Sequence, residues 1–590
     1  MESRLLARMR RFRVSGIDRR PHPTQPVRLS FAQQRLWFLE QLAPGGVEYS
    51  MPFAFRASGR LDVAALESAF SGLVRRHEVL RTRFVVGADQ DPVQVVEDPW
   101  AVRARIVDLT DRGAEAAEAA GLEVLAEEAA RPFDLTSGRL LRLVVVRLAS
   151  DAHLMAVTMH HIVADGWSTG ILAKELPELY AACMAGREAQ LAELPIQYAD
   201  YAMWQRDQLQ GEDLERQLAY WRSALAGLVP LELPTDRPRP PVRSGRGSAV
   251  DFTVPGETTA ALHALAQREG ATLFMLLLAL FKMVLGKWSG QDDVTVGVPI
   301  AGRNRVEVEE LIGFFVNTLV LRSQTFDDPR FDEFLRRVKG ATLSAYEHQD
   351  MPFERLVEDL APTRDLSRTP LVQAVFALQN ATETAWQLPG VRIDPLPSET
   401  KVEKFDVTMV LSESQGGLEG SLTYSNDLFD RETVERMAGY FRTLLSAVVA
   451  DPAARLGELH AVVVGQRGWV GPPAGAAGRS ARPDPGEGPD QDEVEYVAPR
   501  SPVERTIAGI WGDVLDVARV GVHDNFFLLG GHSLMAARIT SQLSQELGFE
   551  VTVRTLFEAQ TVENLAGVLA AEHFARIRNR FGIPTPTAGD

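Results

Sequence analysis

The chain is 590 residues long, with 45% hydrophobic and 24% charged residues and a formal net charge of −17. That length exceeds a single hydrophobic core and implies about two to four folding units, while the acidic balance disfavours a nucleic-acid backbone or an anionic membrane as the main partner. One cysteine, Cys183, excludes a disulfide framework and any multi-cysteine metal site. No stretch reaches the roughly 20 apolar residues of a membrane span and none reads as a signal peptide, so a cytoplasmic protein is expected.

Residues 1–26 reverse the global charge: Arg4, Arg8, Arg10, Arg11, Arg13, Arg19 and Arg20 stand against only Glu2 and Asp18. This reads as a disordered basic tail, as a docking segment for an acidic tail of an upstream protein, or, on composition alone, as a transit peptide. Further on, Leu66, Phe70 and Leu73 form a helical stripe that runs into a strand beyond Arg76, which makes His77 a helix-end residue. Arg81 and Arg83 alternate with apolar neighbours on that strand and point either to a site or to solvent.

Two apolar, β-leaning runs, residues 140–148 and 154–159, flank the turn-like Ala149, Ser150, Asp151 and Ala152 and predict adjacent antiparallel strands. His160 and His161 then fall at a strand end. Asp165 and Gly166 break the pattern, Ser168 is a predicted N-cap, and Leu172, Leu176, Leu179 and Cys183 recur at helical spacing, which assigns Cys183 to core packing. Successive strand residues face opposite sides, so one histidine is structural and the other free to face a cavity. A free imidazole beside a helix N-terminus and unpaired backbone N–H groups suits acyl transfer. A hydrogen-bonded core histidine pair is the plainer reading; a metal pair at His161 and Asp165 would need a helix that Gly166 argues against, and no metal is expected.

Beyond residue 186 the pattern continues with a crossing helix at 194–206, an exposed Pro- and Arg-rich connector at 234–246, a long amphipathic helix or pair at 260–287 and a strand at 294–300 leading to Arg303. Helices and strands alternate, which indicates layered α/β lobes. Residues 465–495 lose all hydrophobic period and read as a flexible linker, whose coil span is roughly 30 Å. Val503, Ile507, Ile510, Trp511 and Val514 open a small helical domain, and Met535, Ile539, Leu543 and Leu547 follow Gly530, Gly531, His532 and Ser533 every four residues. Ser533 is thus placed at a helix N-terminus that favours a phosphate. A hydrolase nucleophile is the rival reading, but Met535 stands where a GxSxG elbow needs its last glycine.

The residues quoted carry a resemblance. His160, His161, Asp165 and Gly166 match the HHxxxDG motif of the condensation domains of nonribosomal peptide synthetases. Six further stretches resemble that family's other motifs in order: 30–39, 76–84, 194–206, 311–318, 348–354 and 364–371. Residues 524–534 resemble the attachment motif of a peptidyl carrier protein. The resemblance implies an α/β (α+β) protein of two chloramphenicol-acetyltransferase-like lobes forming a V around a central tunnel, plus a C-terminal all-α four-helix carrier domain. The expected division is a basic tail or docking segment at 1–26, an N-lobe at 27–190, a C-lobe at 191–464, a linker at 465–495, a carrier at 496–575 and a tail at 576–590. His161 and Gly166 are the implied catalytic residues; His160 and Asp165 are structural, with Arg303, or failing it Arg322, as the partner of Asp165.

The resemblance implies an acyltransferase of natural-product and antibiotic biosynthesis that forms an amide between a donor thioester on an upstream carrier and an amine on 4'-phosphopantetheine attached to Ser533. Ser30, Trp37, the 49–52 stretch and the forms at 301–303 and 314–318 resemble the subtype joining an L-donor to an L-acceptor. The linker has no room for an adenylation domain and no thioesterase is read after residue 571. An adenylation enzyme in trans, a phosphopantetheinyl transferase and a downstream synthetase or release enzyme are therefore expected partners, with no nucleic acid and no membrane. Ester formation, or a non-catalytic recruitment module of the same fold, are the alternatives.

Overall fold

The computed structural model describes residues 16–581 apart from 43–44, 88–90, 242, 361–366, 380–385, 397–400, 465–495, 532 and 550. The expected linker, residues 1–15 and residues 582–590 therefore lie outside the described residues.

Strands β1 (Val27–Arg28), β2 (Ser50–Gly59), β3 (Thr82–Val86), β4 (Pro92–Val96), β5 (Arg105–Asp108), β6 (Leu141–Ala149) and β7 (Ala152–His160) belong to the first half of the chain. With them come helices α1 (Phe31–Leu42), α2 (Val63–Arg76), α3 (Ala114–Ala129) and α4 (Gly166–Met184). The predicted strand pair is β6 and β7, antiparallel with Leu141 opposite Met159. Its two faces have separate partners. Leu143, Val145, Met155 and Val157 pack with residues of α2 and α4, while Val144, Val146, Leu154 and Ala156 pack under Ala117 and Leu125 of α3. A strand buried on both faces reads as a continuous apolar run, which is why this stretch shows no alternation.

The second half supplies α5 (Tyr198–Gln208), α6 (Gly211–Ala224), β8 (Arg246–Pro255), α7 (Gly256–Arg268), α8 (Leu273–Ser289), β9 (Asp293–Ile300), β10 (Asn317–Gln324), α9 (Phe331–Glu347) and α10 (Phe353–Leu360). It continues with β11 (Ala374–Gln379), β12 (Gln387–Leu388), β13 (Val391–Pro395), β14 (Lys401–Val402), β15 (Val407–Ser414), β16 (Gly417–Ser425), α11 (Arg431–Ala450) and α12 (Leu456–Val464). A seven-stranded sheet runs β10-β9-β11-β15-β16-β8-β14, and a six-stranded one runs β12-β13-β2-β7-β6-β5; a small third sheet is β1-β4-β3. The predicted helix at 260–287 is the pair α7 and α8, bent by 103°. Among the described residues no single helix is long and apolar enough to cross a membrane; α8 is apolar because it is the central core helix of its lobe, with its length almost wholly buried.

Four expectations need correction. The lobe boundary at 190/191 falls too early: α5 packs into the first lobe's core through Tyr198, Tyr201 and Ala202, the second lobe's core begins at Leu218, and β13 crosses back to pair with β2. Cys183 is exposed, because the buried stripe of α4 steps from Leu172 and Leu176 to Tyr180 rather than through Leu179. Residues 16–26 are not a free tail: Ile17 is buried, and Arg20 is held by Glu78 and by Asp200 at 2.8 Å. The carrier's four helices are α13 (Pro502–Leu515), α14 (Ser533–Leu547), α15 (Val553–Ala559) and α16 (Val562–Phe581), so the last one runs past the expected end at 575.

Candidate active site

The ladder between β2 and β7 ends at Ser50 opposite His160, and the His161 N–H extends it by donating to the Tyr49 carbonyl at 2.7 Å. The chain then makes one 3-10 turn and enters α4. Asp165, not Ser168, is the N-cap: its Oδ1 accepts from the Ser168 N–H at 2.9 Å, and Ser168 Oγ accepts from the Asp165 N–H at 3.2 Å. This reciprocal cap fixes where the loop ends and the helix begins.

The two imidazoles sit in opposite tautomers. His160 Nδ1 accepts from the Ile162 N–H at 3.1 Å, so its proton is on Nε2; the ring is 3% exposed and lies against Phe133. His161 Nδ1 faces the Ala164 carbonyl at 2.9 Å and must donate to it, which leaves Nε2 with a free lone pair. His161 is half-buried, its ring edge-on to Phe314. Burial lowers both histidines, His160 to about 3 with His161 as the next cause and His161 to about 4 with Lys404 as the next cause. Each is a neutral imidazole near neutral pH, and of the two only His161 leaves its acceptor nitrogen unused. Gly166 is exposed at the first position of α4; a Cβ there would meet nothing within 4 Å. Its N–H belongs to the first turn, whose donors have no helical partner.

Arg303 reaches this loop from the other lobe. Its Nη2 lies 3.0 and 3.2 Å from the two Asp165 oxygens, and its Nη1 donates to the Val308 and Leu311 carbonyls at 2.6 Å each. Both side chains are 0% exposed. The turn that aims Arg303 requires Gly302, whose φ of +64° puts a Cβ 2.0 Å from the Phe315 carbonyl oxygen. Arg322, the second candidate, instead pairs with Asp293 at 2.6 Å. Asp165 also accepts from the Phe315 N–H at 3.1 Å, and Ser168 Oγ from the Gly313 N–H at 3.1 Å, so the 311–318 motif is stitched to the histidine loop. Its neighbour Tyr198 donates to the Phe314 carbonyl at 2.5 Å. These bonds make Asp165 a joint between lobes rather than a base.

Sequence reasoning took Tyr49 only as part of a subtype mark and missed Lys404, Trp167 and Glu309. Trp167 Nε1 donates to the Glu309 carbonyl at 2.9 Å, and Lys404 Nζ lies 4.2 Å from the Tyr49 ring centroid. Nothing local marks such residues, because their neighbours come from the other lobe. Of the expected site residues, a groove of about 490 Å³ lined by Tyr220, Leu225, Arg322 and Ser344 holds only the second candidate, Arg322. Among the described residues no group of three or more His, Cys, Asp or Glu side chains is placed to hold a metal ion.

The carrier lies against this same region. Arg538 of α14 pairs with Glu309 at 3.2 Å and stands 5.2 Å from the Trp167 ring centroid. On its other side, Gln560 reaches the turn at Gly270, and Glu558 and Lys339 face each other. Ser533 is the first residue of α14, and Gly531 before it is tight against Phe526, where a Cβ would sit 2.4 Å from the ring. A chain forced into that turn presents a helix start with free N–H groups, which fits a phosphodiester on Ser533.

Comparisons with known proteins place both parts of the chain in families. The family profile described as Condensation domain matches residues 24–466, and the one described as Phosphopantetheine attachment site matches residues 505–569. A linear gramicidin synthase of Brevibacillus parabrevis is 47% identical over 431 residues, covering 72% of this chain but 6% of its own. The chain thus spans a small fraction of the curated relative it matches. Among solved structures, the X-domain from teicoplanin biosynthesis is 32% identical with a TM-score of 0.69 over 75% of this chain and 99% of its own. The four-domain nonribosomal peptide synthetase holo-AB3403, bound to AMP and glycine, is 25% identical with a TM-score of 0.65 over 74% of this chain and 34% of its own.

Proposed function

This chain belongs to the condensation-domain family and carries a phosphopantetheine attachment domain, and we propose that it forms an amide between a donor thioester delivered by an upstream carrier and an amine held on its own Ser533. The observation that carries the reading is the free Nε2 of His161, fixed in acceptor form by the Ala164 carbonyl and half-buried. A phosphopantetheine on Ser533 supplies a terminal thiol that carries the acceptor as a thioester. His161 Nε2 accepts a hydrogen bond from the acceptor amine, which orients its lone pair toward the donor carbonyl and takes up the proton released as the C–N bond forms. The Gly166 N–H is a donor available to the reacting groups. His160, Asp165 and Arg303 hold the loop in place. Packing of Arg538 on Trp167 and Glu309 supports a carrier that serves this site in cis, converting a bimolecular step into an intramolecular one.

The acceptor is loaded in trans by an adenylation enzyme after a phosphopantetheinyl transferase has modified Ser533, and a downstream synthetase or release enzyme takes the product. The test is intact-mass analysis of the chain loaded on Ser533 with an aminoacyl group and mixed with acyl-charged upstream carrier. A gain equal to the donor acyl group is expected. A second reading, a recruitment module without turnover, draws on the likeness to the X-domain, which has been solved in complex with OxyB. It predicts no mass gain with any donor, whereas a gain seen only with a hydroxyacyl acceptor marks ester formation.

A further inference from the structure

Lys404 lies between β14 and β15 in the second lobe, yet its ammonium rests on the ring of Tyr49 in the first, 4.2 Å from the centroid. Tyr49 is the residue whose carbonyl takes the His161 N–H. Extending the Ser50–His160 register by one step sets Tyr49 opposite His161, with both side chains on one face of the pair. The ammonium therefore stands on the same side of the strand as the free imidazole nitrogen. Its backbone is anchored: the Lys404 carbonyl accepts from Thr369 Oγ1 at 2.7 Å, and Asp406 two residues on is clamped by Arg239.

Among the described residues Glu48 and Glu403 act on Lys404 as opposite charges, neither in a direct ion pair with it. The charged groups around it are Arg35 of α1, Glu48 ahead of β2 and Glu403, and its charge acts on both His160 and His161. Glu403 is engaged elsewhere, accepting from the Phe405 N–H at 2.8 Å and Thr408 Oγ1 at 2.9 Å. A half-buried ammonium whose opposite charges, Glu48 and Glu403, make no direct ion pair with it bears a desolvation cost that an anion arriving beside it would offset.

We propose that Lys404 is a second catalytic residue of this site, its ammonium donating a hydrogen bond to the oxyanion that forms on the donor carbonyl; the inference rests on the function proposed above. As the amine nitrogen bonds to the carbonyl carbon, the C=O π pair moves to oxygen and meets the Lys404 N–H. When that pair returns, the C–S bond breaks and its electrons leave on the thiolate. The proton shed by the amine passes to His161 Nε2 and then to the thiolate, so charge and atoms balance. Burial, then Arg35, brings the Lys404 ammonium down to about 8, so donation fades in the mildly alkaline range.

The test compares Lys404→Met, Lys404→Gln and Lys404→Arg in the full chain. Calorimetry with a phosphonate mimic of the tetrahedral adduct is expected to show about 100-fold weaker binding in Lys404→Met and Lys404→Gln, with binding of the amide product unchanged. The single-turnover rate is expected to fall by about 100- to 1000-fold, with Lys404→Arg recovering most of it and moving the descending pH limb near 8 to higher pH. Rates within threefold of wild type in Lys404→Gln, or equal losses for mimic and product, overturn the proposal. Wild type and His161→Ala run alongside separate the two readings: no transfer by wild type defeats the function itself, wild-type turnover in His161→Ala defeats the role of the imidazole, and wild-type turnover in the Lys404 variants alone defeats only this inference.

Discussion

Replacing Arg303 by alanine removes the cation from a pair whose side chains are both fully buried. Asp165 keeps its bonds from Ser168 and from the Phe315 N–H, but its charge is left without compensation, and the Val308 and Leu311 carbonyls lose their donors. Breaking a buried pair in this way costs about 3–5 kcal/mol. For the roughly 440 residues of the condensation unit, an unfolding entropy of about 2.1 cal/mol/K per residue gives about 0.9 kcal/mol/K, so the melting temperature is expected to drop by about 3–5 °C. The Asp165→Leu/Arg303→Met double variant, which leaves no stranded charge, is expected to recover at least half of that loss. Thermal unfolding followed by circular dichroism on wild type, the single variant and the double variant measures both effects. A single variant melting within 1 °C of wild type, or a double variant no better than the single, would refute a structural joint at Asp165.

Three further outcomes are expected. Ser533→Ala is expected to abolish the mass increase caused by a phosphopantetheinyl transferase, read by intact-mass spectrometry, because α14 begins at that residue. Arg538→Ala is expected to slow amide formation by about 5-fold when the acceptor is on Ser533, the scale of a partly exposed ion pair with a cation–π contact, and to leave a free amine acceptor unaffected. Lys282, buried in α8 with its ammonium on the Leu321 carbonyl and Ser323 Oγ, is pushed from 10.5 down to about 7 by burial. Its folded form thus disfavours the proton: the stability it allows is full above about 10.5 and lost as pH falls through 7. Melting temperature measured between about pH 9 and pH 6.5 is expected to fall more steeply in wild type than in Lys282→Met.

Most of the architecture could be read from pattern alone because its strongest signals are local. The paired strands around the 149–152 turn, the loop at Asp165 and the helix start at Ser533 each arise from neighbours in sequence. The opposite roles of His160 and His161 follow from strand alternation, and the structure adds which nitrogen is free. What stayed hidden is tertiary. The return of β13 to the first lobe's sheet, Lys404 on Tyr49, and Arg538 on Trp167 bring together residues far apart in the chain, and no periodicity encodes those meetings. Cys183 failed for a related reason: an i, i+4 series extended past Leu179 ignores the drift of a 3.6-residue turn, which hands the next large buried position to Tyr180.

The reaction at His161 is tested most directly by a rapid-quench time course of donor transfer to the amine on Ser533, with wild type and His161→Ala compared at equal loading. Loss of the only free imidazole acceptor among the described residues of the loop is expected to slow transfer by about 100-fold or more while carrier loading and melting temperature stay unchanged. Transfer at the wild-type rate in His161→Ala would contradict the account.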